Sequence, residues 1–218
     1  MGSNAILFIT LALINSICMS LAFDPSPLQD FCVADATGKG GCKDPNTVTA
    51  NDFFLGGLDR PANTSFNEYG VGAVAFASVA TVPGFNTLGI TATRGVIAPN
   101  GIIPPHSHLR ASEVIYVEEG VVEVGFITSY PDYKYYTKIL NKGDVFIFPV
   151  GLVHTGRNLG RKNCVIFGAL NSQNPGFNFI PDAVLAAKPA VNSTYLSKAF
   201  KLDEKTIKDL QTKSWFSL

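Results

Sequence analysis

The pattern of hydrophobic and polar positions predicts β-strands for most of the chain from Val71 to Leu170. Short segments rich in β-branched and aromatic residues recur there, and turn-forming groups such as Asn141–Asp144 separate them. The clearest strand segments are Val114–Val117, Val121–Ile127, Tyr135–Leu140, Val145–Phe148 and Val165–Leu170. Many short strands at this spacing predict an all-β sandwich or closed barrel. Because strands and helices do not alternate, a parallel sheet is not expected.

Helical patterns occur only near the C-terminus. The predicted helices are Asp182–Lys188, Ser193–Phe200 and Asp203–Lys213. The first has an acidic residue at its start and a proline just beyond its end, as helix boundaries often do. This short helical segment could cover its own barrel or a neighbouring subunit, and the periodicity does not distinguish the two.

The N-terminal segment has the features of a secretory signal. Ala5–Ile17 is largely apolar but too short for a membrane span, and Ser20-Leu21-Ala22 supplies small residues where a signal peptidase cleaves. We therefore expect residues 1–22 to be a cleaved signal peptide and the mature chain to begin near Phe23. One departure is that no lysine or arginine precedes the apolar stretch.

Composition narrows the classes of function. The chain has 218 residues, of which 46% are hydrophobic and 16% charged, and its 17 Lys and Arg balance its 17 Asp and Glu. Such a chain can bury the core of one domain, so we expect a single domain over residues 23–218. Without a basic excess, a nucleic-acid partner is not expected.

The cysteines agree with export from the cell. Cys18 lies in the predicted signal peptide, whereas Cys32 and Cys42 are close together and should oxidise outside a reducing compartment. Cys164 stands in an apolar strand segment and is predicted to be a buried, inert thiol. The alternative is that all three mature cysteines are free. Two N-glycosylation acceptor motifs, at Asn63 and Asn192, also fit a secreted protein.

The three histidines of the chain lie beside the strongest strand patterns. His106 and His108 stand at i and i+2, so on a strand they share one face with their Cα atoms about 6–7 Å apart. Glu113 opens the strand segment that continues to Val117, and it would share an inward face with apolar residues. A buried carboxylate is costly unless it is paired or bound to a metal. His154 follows a later turn.

Together these four residues predict a metal site with three imidazoles and one carboxylate. Such mixed ligands suit manganese, iron, zinc, nickel and copper, and an octahedral ion would keep positions open for water, substrate or dioxygen. A His-x-His pair alone is a weak signal, because two exposed or internally hydrogen-bonded histidines give the same pattern. The added glutamate and third histidine favour the metal site.

Four segments of the chain resemble the germins and germin-like proteins. Pro104–Glu113 (PPHSHLRASE) is similar to their first motif, and Gly143–His154 (GDVFIFPVGLVH) is similar to their second. The start of the expected mature chain, Asp24–Asp35, and the segment Asn171–Gly176 match as well. The resemblance covers the chain from about Phe23 to its end.

The resemblance implies a cupin fold, which is an antiparallel jelly-roll β-barrel. It implies that His106, His108, Glu113 and His154 bind manganese inside the barrel and that Cys32 pairs with Cys42. It also implies a hexamer, built as a trimer of dimers through the C-terminal helices, in the plant cell wall or apoplast.

The resemblance leaves several activities open. One function that the resemblance implies is superoxide dismutation, linked to defence. The alternative is a non-catalytic receptor or structural glycoprotein of the cell wall. Oxalate oxidation is not favoured, because Thr93 and Ile103 occupy the positions of two asparagines that line the pocket of oxalate-oxidising relatives. Thr155 and Gly156 also stand where many relatives carry an aromatic residue after the last ligand.

Overall fold

The computed structural model describes residues 29–35, 41–65 and 67–213, and the predicted signal peptide lies outside them. Within this part of the chain, ten strands form two five-stranded antiparallel sheets. The first sheet has the order β1-β2-β9-β4-β7 and the second the order β10-β3-β8-β5-β6. The strands are β1 Val71–Ala77, β2 Thr91–Ile97, β3 Ile102–His108, β4 Glu113–Glu119, β5 Val121–Ile127, β6 Tyr135–Asn141, β7 Val145–Phe148, β8 Val153–Asn158, β9 Cys164–Leu170 and β10 Phe177–Phe179. This arrangement confirms the all-β prediction.

The core fills the space between the two sheets. Along β4, Glu113, Ile115 and Val117 are buried while Val114 and Tyr116 are exposed, so the predicted inward face is confirmed. Each apolar side chain buried in this way contributes roughly 1.5–3 kcal/mol relative to an exposed one. The buried members of this core are Val71, Ile97, Ile115, Val117, Val122, Val124, Leu140, Phe148 and Cys164.

Strand β3 contains a bulge at its two prolines. Its pairing with β8 shifts between Ile103, which faces Gly156, and His106, which faces His154. Three positions on β3 therefore span only two on β8, which is the geometry of a β-bulge. Prolines have no N–H to donate to the ladder, so a bulge is where a strand accommodates them. The bulge brings His106 directly opposite His154.

The C-terminal helices form a second, smaller hydrophobic core. They are α1 Ile180–Leu185, α2 Ser193–Phe200 and α3 Glu204–Gln211, close to the predicted bounds. The side chains of Asn192 and Asp203 cap α2 and α3 by accepting hydrogen bonds from backbone N–H groups in the first turn. Leu185, Leu196 and Ile207 pack together as the centre of this core. Among the described residues, no helix has the length and apolar character that a membrane span requires.

Short 3₁₀ helices lie ahead of the barrel strands and between β1 and β2. They cover Pro45–Thr47, Ala50–Phe53 and Pro83–Phe85. Cys32 and Cys42 form a disulfide with their Cα atoms 4.9 Å apart. Cys164 is free and buried, as predicted, and burial raises the pKa of its thiol to about 11. Asn63 and Asn192 are both exposed, and their glycosylation stays a prediction.

Removing the disulfide is expected to destabilise the protein. Because the bond closes a loop over a sequence separation of 10, the Cys32→Ser/Cys42→Ser double variant should lose about 2–3 kcal/mol of the free energy of unfolding. Chemical denaturation measures this loss. The wild type in the presence of a reductant should lose a similar amount, whereas the double variant should not respond to reductant. Equal stability of the double variant and the oxidised wild type would contradict this prediction.

Candidate metal centre

Three strands bring the predicted ligands together at one end of the barrel interior. His106 and His108 stand on β3, Glu113 is the first residue of β4, and His154 lies on β8. A tight turn joins β3 to β4, so Glu113 returns beside the histidines that precede it. All four side chains are buried. Their ligand atoms lie within 4.8 Å of one another.

The four side chains surround one point. Glu113 Oε2 lies 3.1 Å from His108 Nε2 and 3.3 Å from His154 Nε2. The ring centroids of His106 and His154 are 4.2 Å apart, and His108 lies 5.1 Å from each of them. Atoms that share one ion with bonds of about 2.0–2.2 Å must lie within about 4.4 Å of each other or slightly more. The spacing therefore fits a single bound metal ion after small adjustments.

Backbone carbonyls fix the orientation of two of the rings. His106 Nδ1 donates to the carbonyl of Pro104 at 2.9 Å, and His154 Nδ1 donates to the carbonyl of Leu152 at 2.9 Å. A carbonyl can only accept, so Nδ1 carries the proton and Nε2 is left with its lone pair. Such bonds hold metal-binding imidazoles in the right tautomer. His154 Nε2 is buried without a hydrogen bond, which fits a role as a metal ligand.

Electrostatics keep His106 and Glu113 in the protonation states that a metal requires. Burial lowers the pKa of His106 to about 3, and the neighbouring His154 adds to the effect. For Glu113, burial alone would raise the pKa, but the neighbouring His108 and His154 side chains outweigh it and lower the pKa to about 2. Near neutral pH, His106 is therefore neutral and Glu113 ionised. These are the forms that bind a metal ion.

A small cavity of about 90 Å³ is lined by three of the four side chains, His106, Glu113 and His154. The two pocket positions predicted from the sequence, Thr93 and Ile103, both line it, and so does Thr155. Thr155 Oγ1 donates to the carbonyl of Ile103 at 2.7 Å, which ties β8 to the bulge of β3. Most of the remaining lining is apolar. The site therefore combines a cluster of polar side chains with a small, mostly apolar cavity.

Several residues of the site were not predicted from the sequence. Phe148 stacks on the His154 ring with centroids 4.3 Å apart. Phe177 and Phe179 face His108 and His106 across the β10–β3 pairing. Gly168 leaves room for the carboxylate, because a Cβ there would lie 2.8 Å from Glu113 Oε1. An isolated glycine inside a strand pattern signals such a close approach and could have identified Gly168.

Comparison with known proteins supports the family resemblance. The sequence profile of the cupin family matches residues 56–208. Germin-like protein subfamily 1 member 7 of Arabidopsis thaliana is 48% identical over 198 residues, which cover 88% of this chain and 86% of that protein.

Solved structures agree. Oxalate oxidase in complex with the substrate analogue glycolate has a TM-score of 0.82 and 34% identity, covering 87% of this chain and 97% of its own. Peruvianin-I, described as a cysteine peptidase from Thevetia peruviana latex, has a TM-score of 0.67 and 36% identity, covering 72% of this chain and 98% of its own. The fold, the four-residue cluster and these matches lead to one conclusion: the chain belongs to the germin-like proteins of the cupin family.

Proposed function

We propose that this protein is a secreted, manganese-binding germin-like protein of the plant cell wall or apoplast that dismutates superoxide. His106, His108, Glu113 and His154 are its proposed metal ligands. The observation that carries the proposal is the buried cluster of three imidazoles and one carboxylate beside a cavity of about 90 Å³. Such a space is large enough for a small anion such as superoxide beside the four side chains.

The chain's own residues would shape the chemistry of a bound ion. The carboxylate of Glu113 lowers the net charge of the centre, and the carbonyls of Pro104 and Leu152 hold two imidazoles in their binding form. The apolar lining excludes bulk water. Dismutation converts two superoxide anions and two protons into one dioxygen and one hydrogen peroxide, and a redox-active manganese ion would supply and take back the single electron that this requires.

Oxalate oxidation is not the favoured reaction. Ile103 and Thr93 line the cavity, and Ile103 offers no side-chain donor to a dicarboxylate. Among the described residues that line the cavity, none is a lysine or arginine. Each hydrogen bond that the cavity fails to offer to a charged dicarboxylate lowers the binding free energy by about 1.5–3 kcal/mol. A cysteine nucleophile is not supported either, since Cys164 is buried and its pKa is raised.

The alternative function is a non-catalytic wall receptor or structural glycoprotein. In that case the metal would chiefly stabilise the barrel, and removing it would unfold the protein without ending any reaction. The same four-residue cluster fits this alternative, so activity must be measured directly.

The test is a superoxide dismutation assay on protein purified from its secreted form, before chelation, after chelation and after manganese is restored. We expect activity that disappears with the metal and returns with it, and no hydrogen peroxide formation from oxalate. A manganese-loaded protein without dismutation activity would refute the enzymatic proposal and favour the receptor or structural role. Circular dichroism on the chelated sample distinguishes loss of metal from loss of fold.

Secretion and processing form part of the proposal. The disulfide between Cys32 and Cys42 and the exposed positions of Asn63 and Asn192 support an oxidising, extracellular setting. We propose that residues 23–218 form the mature cupin domain. N-terminal sequencing of the secreted protein should begin near Phe23, and a glycosidase should reduce its mass.

We also propose that the protein assembles as a hexamer, a trimer of dimers. The outer face of the first sheet supports this, because the facing pairs Val114–Ile147 and Tyr116–Val145 are all exposed. A contiguous apolar patch on a sheet face is typical of an interface. The three C-terminal helices, with their own hydrophobic core, provide a second surface for assembly.

Charges on this apolar face are expected to break the assembly. The Val114→Lys/Ile147→Lys double variant should give a smaller particle than the wild type by light scattering, because lysines there would be buried against a second copy. Ile139→Lys, at an equally exposed apolar position on β6 in the second sheet, is the matched control and should keep the wild-type mass. An unchanged mass for the double variant would place the interface elsewhere.

A further inference from the structure

Phe177 forms a wall shared by two spaces at the metal end of the barrel. One is the internal cavity beside the ligands. The other is an outer cleft of about 480 Å³, which is lined by both polar and apolar residues, Phe177 among them. The side chains of Ser78, Thr91, Gln173 and Asn174 contribute to this cleft. Phe177 is 37% exposed, so one part of it faces outward while its ring reaches the histidines.

The ring of Phe177 lies over the proposed ligands. It meets the His108 ring edge-to-face, with centroids 4.4 Å apart and an interplanar angle of 87°. It lies nearly parallel to the His106 ring at 6.2 Å. Phe179 stands behind it at 6.2 Å and contacts His106 at 5.4 Å. A molecule that passes from the outer cleft to the ligands by this route must displace the Phe177 ring.

The backbone around Phe177 is held firmly in place. Phe177 pairs with His108 in the β10–β3 ladder. Arg110 anchors the preceding segment, since its guanidinium donates to the carbonyl and to Oδ1 of Asn174, each at 2.8 Å. The backbone N–H of Arg110 also donates to the carbonyl of Pro175 at 3.0 Å. Opening therefore requires rotation of the side chain, because movement of this segment would break several hydrogen bonds.

We propose that the Phe177 ring is the gate between the outer cleft and the metal cavity, and that it limits entry to small molecules such as diatomic oxygen species and water. This inference rests on the proposed function, because it defines which substrates reach that site. Side-chain rotation in a half-exposed residue is fast, so the gate admits small molecules readily. A carboxylate substrate would need the ring to stay displaced while it binds.

The histidine content of the chain allows a test that needs no metal. The chain has three histidines, and all of them belong to the site. Diethyl pyrocarbonate carbethoxylates neutral imidazole nitrogen, and its bulk makes it a probe of access. Any carbethoxyhistidine formed in the folded, metal-free protein therefore reports on entry to the site alone.

The variants to compare are Phe177→Ala and its matched control Phe179→Ala. Both remove one aromatic ring from the cavity lining, but Phe179 does not line the outer cleft. In metal-free protein, Phe177→Ala should carbethoxylate at least about tenfold faster than the wild type, which corresponds to about 1.4 kcal/mol of lost barrier. Phe179→Ala should stay within about twofold of the wild type. Phe177→Leu should be intermediate and Phe177→Trp slower than the wild type.

The carbethoxylation rates test the gate independently of metal binding. Wild-type rates in Phe177→Ala, or equal acceleration in both alanine variants, would overturn the gate. Should Phe177→Ala fail to fold by circular dichroism, the order Leu faster than Phe faster than Trp at position 177 decides in its place, and the absence of that order would overturn the proposal. Manganese analysis of the wild type tests the proposed function separately, since the carbethoxylation rates require no metal.

Discussion

Glu113→Gln is expected to lower the affinity for manganese by at least about 100-fold, because changes outside the first ligand shell alone typically cost 10–100-fold. Glutamine keeps the size of the side chain but removes its negative charge, and Glu113 is the one acidic residue of the cluster. Its Oε2 is also the atom that lies within 3.3 Å of both His108 Nε2 and His154 Nε2. Without the carboxylate, three neutral imidazoles would have to hold a divalent ion alone.

Elemental analysis of the purified variant and competition with a chelator of known affinity measure this effect. Glu119→Gln is the matched control, since Glu119 is an exposed carboxylate at the other end of the same strand. The control should retain wild-type manganese. If Glu113→Gln also retained it at wild-type affinity, Glu113 would not be a ligand, and the four-residue site would be wrong.

Gly168→Ala is expected to lower the affinity for manganese by about tenfold through its neighbour Glu113, an effect in the range of other second-shell changes. The new Cβ would lie 2.8 Å from Glu113 Oε1 and 3.0 Å from Thr93 Cγ2. The carboxylate would have to move by several tenths of an ångström, out of line with the imidazoles. The backbone of Gly168 does not have a positive φ, so alanine itself is tolerated there.

Gly95→Ala is the control for this prediction. Gly95 also lines the cavity, but a Cβ there would meet Ile166 at 3.6 Å, which is ordinary contact. Chelator competition should give wild-type affinity for Gly95→Ala and a weaker one for Gly168→Ala. Thermal denaturation of the metal-free proteins should show both variants folded. Equal affinities for the two would mean that the position of the Glu113 carboxylate does not control binding.

The sequence predicted the barrel well where alternation is regular. Along β4 every second side chain is buried, and β5 and β7 have the bounds that their apolar patterns indicate. The start of α2 was also predictable, because Asn192 precedes it as a capping residue. These strand and helix boundaries are set by the local sequence, and the packing of the folded protein favours the same boundaries.

The parts that sequence patterns did not predict depend on contacts between distant segments. Pro104 and Pro105 argue against a strand, yet β3 runs through them by way of a bulge. The short strand β10 has little pattern of its own and exists because it pairs with β3. α1 begins at Ile180, ahead of the predicted Asp182, since Pro181 fits the first turn of a helix.

The cluster of four side chains was predictable and the shape of the cavity beside it was not. Three histidines and one glutamate at strand spacing identify the cluster, and the family resemblance points to Thr93 and Ile103 as pocket residues. The roles of Gly168 and Phe177 emerge only when β9 and β10 are placed beside the ligands. Their consequence is a small, mostly apolar space beside the four side chains.

The most direct test of the central claim is elemental analysis of the secreted wild type beside the His106→Ala/His154→Ala double variant, which removes two of the proposed ligands. We predict about one manganese ion per chain in the wild type and almost none in the variant, since few ligands would remain to satisfy a divalent ion. A wild type without any transition metal, or a variant that keeps the wild-type amount, would contradict the claim that these residues form a manganese site.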